Sequence, residues 1–221
     1  MRYISVAARE SPLSCAQTQE VLNELKITYP DIEFELKMIK TSGDLDLTTS
    51  LREMDKTDFF TREIDRMILQ GQCRAAIHSA KDLPDPLPKG LYIAAVTRGI
   101  DSSDSLVLKE GETLNSLPEG AVIATSSVRR EDAVKSLRAD FAFVDIRGTI
   151  EERLKTIEQG AADGVVIAES ALIRLKLTHL NRITLPGETA PLQGRLAVVV
   201  RDDDYEMKEI FSCLCARSTQ G

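Results

Sequence analysis

Four short stretches bring cations and hydroxyls to points where a predicted strand gives way to a turn or a helix. They are Arg9 with Ser11, Lys81 with Asp82, Thr125-Ser126-Ser127 with Arg129 and Arg130, and Arg147-Gly148 with Arg153. Such groups suit anions. A strand that feeds Thr-Ser-Ser into a helix offers hydroxyls and free backbone N–H groups at the positive end of the helix dipole, and a guanidinium fork meets a carboxylate bidentately. Arg129 and Arg130 fall near a helix start, where cations are mildly disfavoured. They are there either for a ligand carboxylate or simply as a solvated helix start. Asp82 is the odd carboxylate among these cations. It is either a salt-bridge partner of Lys81 or an arginine, or a group that stabilises positive charge developing on a substrate that is itself anionic. His78 reads as structural, a hydrogen-bonding group at a strand's end.

The elements that must position these residues follow from periodicity. Ala75-Ala76-Ile77 is the tail of a buried strand, and Pro84, Pro86 and Pro88 forbid helix beyond it, so His78 to Asp82 occupy a rigid turn. Open α/β sheets place their ligands at such strand ends. Residues 2–8 alternate as a strand. Ser11 then reads as an N-cap, with Pro12 at the first helical position and an apolar stripe through Leu13, Ala16, Leu22 and Leu25. Residues 33–38 alternate as a second strand. Residues 44–57 hold no pattern and read as a mobile surface loop, and a helix resumes at about Asp58, with Phe60, Ile64, Met67 and Ile68 on its buried face. Strands are expected at 91–96, 105–108, 121–124, 141–146, 165–168 and 196–200. Helices are expected at 128–138, 149–159 and 170–175, and a closing helix from Asp202 to about Ala216 has Asp203 near its start. Strands alternating with helices imply parallel sheets built from βαβ units.

Composition narrows the function. With 43% hydrophobic and 29% charged residues, the 221-residue chain can bury a real core and has room for two small domains. Its net charge of −7 argues against general nucleic-acid binding, so any anion site is local. The first nine residues are too poor in apolar content for a signal sequence, and no run approaches the roughly 20 apolar residues of a membrane helix. The expectation is a cytoplasmic protein without a membrane partner. Cys15, Cys73, Cys213 and Cys215 form no CxxC pair and read as free thiols, and neither His78 nor His179 has metal-ligand spacing around it.

The stretch His78-Ser79-Ala80-Lys81-Asp82-Leu83-Pro84 resembles a motif of the porphobilinogen deaminase (hydroxymethylbilane synthase) family. Arg9-Glu10-Ser11-Pro12-Leu13, Thr41-Ser42-Gly43-Asp44, Phe60-Thr61-Arg62-Glu63, Thr125-Ser126-Ser127-Val128-Arg129-Arg130, Arg147-Gly148, Arg153 and Gln193-Gly194 resemble further motifs in that family's order, over essentially the whole chain. The resemblance implies an α/β, two-lobed, periplasmic-binding-protein-like architecture with mixed, mainly parallel sheets flanked by helices. Lobe 1 would span 1–98 and 196–221 and carry the Asp82 corner. Lobe 2 would span 102–193 and carry the arginine and hydroxyl corners.

The resemblance further implies a transferase of tetrapyrrole (heme) biosynthesis, acting as a monomer, that condenses four porphobilinogen molecules head to tail with release of ammonia to give hydroxymethylbilane. Asp82 would be its catalytic residue, holding pyrrole N–H groups and stabilising the cation left as ammonia departs. Arg9, Ser11, Lys81, Thr125, Ser126, Ser127, Arg129, Arg130, Arg147 and Gly148 would bind a dipyrromethane cofactor. Arg9, Phe60, Arg147, Arg153 and Gln193 would contact substrate.

Three departures from the family pattern qualify these expectations. The glycine- and lysine-rich loop before Phe60 is here Asp55-Lys56-Thr57-Asp58, which puts lid behaviour in question, and the usual Arg-Gly-Asn is Arg147-Gly148-Thr149. Family members also carry a third domain whose cysteine attaches the cofactor. The chain stops before such a domain would form, and Cys213 and Cys215 lack the glycine-flanked loop of the attachment cysteine. Two readings follow: a deaminase, either naturally short or lacking its last domain, with a cofactor held at the carboxylate sites without covalent attachment, or a two-lobed module that holds a small anion or pyrrole without turnover. A transcription-factor effector domain ranks last, for want of a helix-turn-helix segment.

Overall fold

A computed structural model describes residues 2–46, 49–50, 52 and 58–215. The chain begins with β1 (Arg2–Arg9), α1 (Pro12–Thr28), β2 (Ile32–Ile39), α2 (Ser42–Leu45), α3 (Arg62–Leu69), β3 (Ala75–Ser79) and β4 (Leu91–Val96). It continues through β5 (Asp104–Leu108), β6 (Val122–Ala124), α4 (Val128–Leu137), β7 (Ala142–Val144), α5 (Ile150–Glu158), β8 (Gly164–Ala168), α6 (Glu169–Arg174) and β9 (Arg182–Thr184). It closes with β10 (Leu196–Arg201) and α7 (Tyr205–Ser212). These elements form two compact units. Unit 1 comprises Met1–Leu45, Lys56–Ile100 and Gly194–Gly221, and unit 2 comprises Asp46–Asp55 and Asp101–Gln193.

Unit 1 is a five-stranded sheet in the order β2-β1-β3-β10-β4, with β1 parallel to β2 and β3, and β10 antiparallel to both of its neighbours. Helices cover both faces, so its central strands are apolar on both sides. Along β10, Leu196, Val198 and Val200 join the cluster formed by Val21, Leu22 and Leu25 of α1 and by Met207, Ile210 and Phe211 of α7. The alternate residues Ala197 and Val199 join Ile64 and Ile68 of α3 on the other face. The period-2 alternation of a strand does this sorting.

Unit 2 repeats the plan with the order β7-β6-β8-β5-β9, in which β6 is parallel to β7 and β8, and β5 is antiparallel to β8 and β9. Leu106, Leu108, Ile123, Val134, Phe141 and Val166 form its core.

Four local features differ from the sequence reading. β9 is an unexpected strand, three residues long and too short to show a period. α7 starts at Tyr205 and not at Asp202, because Asp204 is its N-cap, with a carboxylate that accepts from the Met207 N–H at 3.2 Å, while Asp203, just ahead of the start, pairs with Arg201 at 2.5 Å. The closing helix ends at Ser212 and not near 216, a position outside the described residues. Ser42–Leu45 forms a helical turn that overlaps the start of the loop expected at 44–57, while most of that loop, with the departure at Asp55-Lys56-Thr57, lies outside the described residues.

Candidate active site

The Asp82 corner begins where β3 ends. Its last residue, Ser79, leads into a single tight turn over Ala80–Asp82. β10 pairs with β3 up to Ser79, and the Ala80 N–H donates to the Arg195 carbonyl at 3.0 Å, so the turn is tied down on its inner side. Asp82 is left exposed at its tip. Among the described residues its carboxylate has neither an ion pair nor a hydrogen bond, which removes the salt-bridge reading there. Lys81 is half-buried beside it.

Asp82 lines a concavity of unit 1 together with Arg9, Ser11, Ser14, Gln17, Phe60, Thr61, His78 and Ser79. The expected residues Arg9, Ser11, Phe60 and Asp82 therefore come together, and each is placed by a local cause. Ser11 caps α1, its hydroxyl accepting from the Ser14 N–H at 3.3 Å, with Pro12 at the first helical position where no donor is lost. Arg9 ends β1 and donates from Nε to Asp44 at 3.0 Å, with a second, very close contact from Nη2. Its guanidinium lies 4.4 Å from the centre of the Phe60 ring. Gly43 makes that stacking possible, because a Cβ there would lie 2.5 Å from Phe60 Cδ1 and 2.8 Å from the Phe59 carbonyl.

Burial alone would raise the Asp44 carboxyl. The bond from Arg9, joined by the Thr41 N–H at 2.9 Å and its hydroxyl at 2.8 Å, holds it below the usual range instead. Asp44 thus fixes Arg9, a role that its place in a short polar motif does not announce. Gln17 was also missed. It is buried on α1 and donates to Ser79 Oγ at 2.9 Å, tying that helix to the end of β3 from which the Asp82 turn leaves, but in sequence it is one polar residue beside an apolar stripe.

His78 is buried, and its Nε2 has no hydrogen-bond partner among the described residues, so it does not hold the corner through that atom. Burial, reinforced by Arg9, lowers its pKa to about 4. On α3, burial raises the Asp65 pKa to about 6, although the Thr61 hydroxyl donates to it at 2.7 Å. The two shifts oppose each other in stability. Between the ordinary histidine value of 6.5 and 4, the unfolded chain protonates His78 and the folded chain does not, so stability falls as pH falls. Between about 6 and the ordinary 3.8, only the folded chain protonates Asp65, so stability rises as pH falls. Each effect is worth roughly 3 kcal/mol. In urea unfolding of the unaltered protein the contributions of these two groups are therefore expected to offset each other from pH 6 to 4. His78→Gln should gain stability over that window and Asp65→Asn should lose it, and parallel profiles for all three proteins would contradict the assignment.

Unit 2 carries the remaining predicted residues. Thr125, Ser126 and Ser127 follow β6. The Thr125 hydroxyl accepts from the Ser127 N–H at 3.3 Å, the Ser126 hydroxyl accepts from the Ile146 N–H at 3.1 Å, and Ser127 caps α4. Arg129 and Arg130 converge on the buried carboxylate of Asp104, which also receives the side-chain amide of Gln193 at 2.9 Å. In sequence Asp104 stands one residue ahead of the strand expected at 105–108, with nothing to link it to these arginines. Arg147 donates to the Asp46 carbonyl at 2.8 Å, and Arg153 donates to the Gly148 carbonyl at 2.9 Å. Gly148 needs to be glycine, since its φ is +97° and a Cβ would lie 2.7 Å from Glu152 Oε2. Thr149 is the N-cap of α5 in a reciprocal capping box with Glu152. That explains how threonine serves here.

The described parts fit the acidic and N–H groups of a dipyrromethane, with guanidinium and hydroxyl corners for carboxylates and an unpaired carboxylate for N–H. They show no thiol for attaching it at the unit 1 concavity. Cys15, Cys213 and Cys215 are exposed, Cys73 is buried, and none lines that concavity.

Two α/β units of this topology define the fold of the periplasmic binding-protein class. The methionine-binding protein MetQ, a solved structure, shares it at a TM-score of 0.61 and 13% identity, over 96% of this chain and 89% of that one. The profile described as "Porphobilinogen deaminase, dipyromethane cofactor binding domain" matches residues 4–209. Porphobilinogen deaminase of Clostridioides difficile is 39% identical over 98% of this chain and 73% of its own length. That of Thermus thermophilus is 41% identical over 97% and 70%. The chain belongs to the porphobilinogen deaminase family. Among the described residues no helix is long and apolar enough to cross a membrane.

Proposed function

We propose that the protein is the catalytic part of a porphobilinogen deaminase, a transferase of tetrapyrrole biosynthesis that joins porphobilinogen units head to tail. In each step the bond between the aminomethyl carbon and nitrogen breaks and ammonia leaves. The cationic methylene carbon then bonds to the free α-carbon of the growing chain's terminal pyrrole, and that carbon gives up its proton. After four additions the bond joining the first unit's methylene carbon to its acceptor pyrrole breaks, that pyrrole's α-carbon regains a proton, and the methylene cation so formed takes up water to give hydroxymethylbilane. A dipyrromethane, when bound, supplies the pyrrole that accepts the first unit.

Asp82 carries this reading. It is an exposed carboxylate, unpaired among the described residues, on a turn anchored by β10 and facing the concavity that Arg9 and Phe60 also line. There it holds a pyrrole N–H and opposes the positive charge that spreads over the ring as ammonia leaves, a task for a fixed anion. Arg9, Ser11 and Lys81 of the same unit bind acetate and propionate groups of cofactor and substrate. In unit 2, Thr125, Ser126, Ser127, Arg129, Arg130, Arg147 and Gly148 bind those of the cofactor, and Arg147, Arg153 and Gln193 those of the substrate. The lobes are residues 1–98 with 196–221, and 102–193.

The test combines calorimetry with porphobilinogen, ammonia release, and Ehrlich reagent on protein purified from cells. Binding with stoichiometric ammonia release supports the deaminase. Binding without ammonia release points to a holding module, and no binding at all removes both readings.

A further inference from the structure

The two guanidiniums at the start of α4 are held by a carboxylate from another element. Asp104, first residue of β5, is only 1% exposed. It accepts Arg129 Nη2 at 2.6 Å, Arg130 Nε at 3.0 Å, Arg130 Nη2 at 2.6 Å and Gln193 Nε2 at 2.9 Å. The Gln193 amide is itself fixed by the carbonyls of Ser102 and Ser103 at 2.7 and 3.2 Å, and Arg129 Nη1 donates to the Glu188 carbonyl at 2.8 Å. Burial works against the charge of Asp104, yet the two arginines hold its carboxyl below the ordinary range.

Two guanidiniums side by side at a helix N-terminus repel each other and the local dipole. One carboxylate between them cancels half of their charge and fixes two side chains that otherwise keep about 2 kcal/mol of rotamer freedom each. A guanidinium has five N–H groups in a fixed fork, so anchoring one edge sets the direction of the others.

We propose that Asp104 is a positioning residue for carboxylate recognition: it clamps Arg129 and Arg130 into one pre-set pair of net charge +1, matched to a single ligand carboxylate. This rests on the reading above, in which those arginines meet carboxylates of the cofactor and growing chain. Asp104 touches no ligand itself and acts through the arginines.

Asp104→Asn separates positioning from simple charge, because it adds a positive charge to the corner. Coulomb attraction alone then gives tighter anion binding, and lost positioning gives weaker. Porphobilinogen calorimetry is expected to show binding weaker by about tenfold or more, in line with breaking a buried charged pair. The double variant Asp104→Asn/Arg130→Gln is expected to lose less than the sum of the two single losses, since the share of Asp104 that acts through Arg130 is already gone and only the share through Arg129 remains. Unchanged or tighter binding by Asp104→Asn, or full additivity in the double variant, overturns the proposal.

Should Asp104→Asn not fold, Asp104→Glu keeps the charge and moves it by one methylene. Weaker binding is again expected, and unaltered affinity overturns the clamp. If the unaltered protein does not bind porphobilinogen, the functional reading falls, and the clamp is judged on arginine Nε–Hε resonances during an acetate titration. A resolved Arg130 resonance that shifts with acetate, and loses both properties in the Asp104 variant, sustains it; identical behaviour in both proteins overturns it.

Discussion

Asp82→Asn is expected to reduce porphobilinogen consumption at least about a hundredfold, the usual scale for removing one fixed group that stabilises transition-state charge. The amide keeps the size and one accepting oxygen of the carboxylate but not its charge, so loss in this variant points to charge and not to shape. The fold should be indifferent. Asp82 is exposed on its turn and, among the described residues, no partner would be left behind, so its unfolding free energy should move by no more than about 0.5 kcal/mol. Affinity for porphobilinogen should change far less than turnover, because the ammonium and carboxylates of the ground state do not need this charge as the departing-ammonia step does. Asp82→Glu keeps the charge at the wrong distance and should fall in between. Turnover near the unaltered rate in Asp82→Asn would end the assignment of charge stabilisation to this residue.

The largest expected effect on stability lies away from the chemistry. Phe211 is fully buried, among the largest such side chains in the protein, and packs from α7 against the cluster that joins β1, β10 and α1. Phe211→Ala is expected to cost about 3–5 kcal/mol, combining lost transfer energy with the cavity left behind. A domain has only about 5–15 kcal/mol in total, so a drop of that size should be plain in urea or thermal unfolding. Because α7 sits on the same sheet as the Asp82 turn, activity should be lost at a lower temperature without a change in rate constants where the protein remains folded. A change below 1 kcal/mol would mean that α7 is not part of the core.

Much of this was legible in the chain. Apolar runs such as Leu196–Val200 mark strands buried on both faces, and Ser11-Pro12 and Gly160 mark helix ends, because those signals are local. What could not be read depends on distant partners. Nothing in Leu196–Val200 says that it runs antiparallel between β3 and β4, since a doubly buried strand is equally apolar in either direction. Asp44 and Asp104 look like ordinary loop acids, yet they hold Arg9 and the Arg129–Arg130 pair across 35 and about 25 residues of sequence. The corners announce their cations because arginine beside Ser-Ser at a helix start is locally odd. The carboxylates that restrain those cations are locally normal, so only the fold exposes them.

The late entry of β10 into the first sheet bears on how the chain is made. A ribosome delivers β3 and β4 well before β10, so for the intervening hundred or so residues the sheet's middle is missing, and two apolar strands have facing edges with unmet backbone groups. Unit 2 has all its strands once residue 193 has emerged, whereas unit 1 must wait for the last one. The half that carries Asp82 is therefore the half exposed longest to chaperones, proteases and chance pairing during synthesis. Its nascent intermediates, unlike those of unit 2, depend on a segment translated after every strand of the other unit.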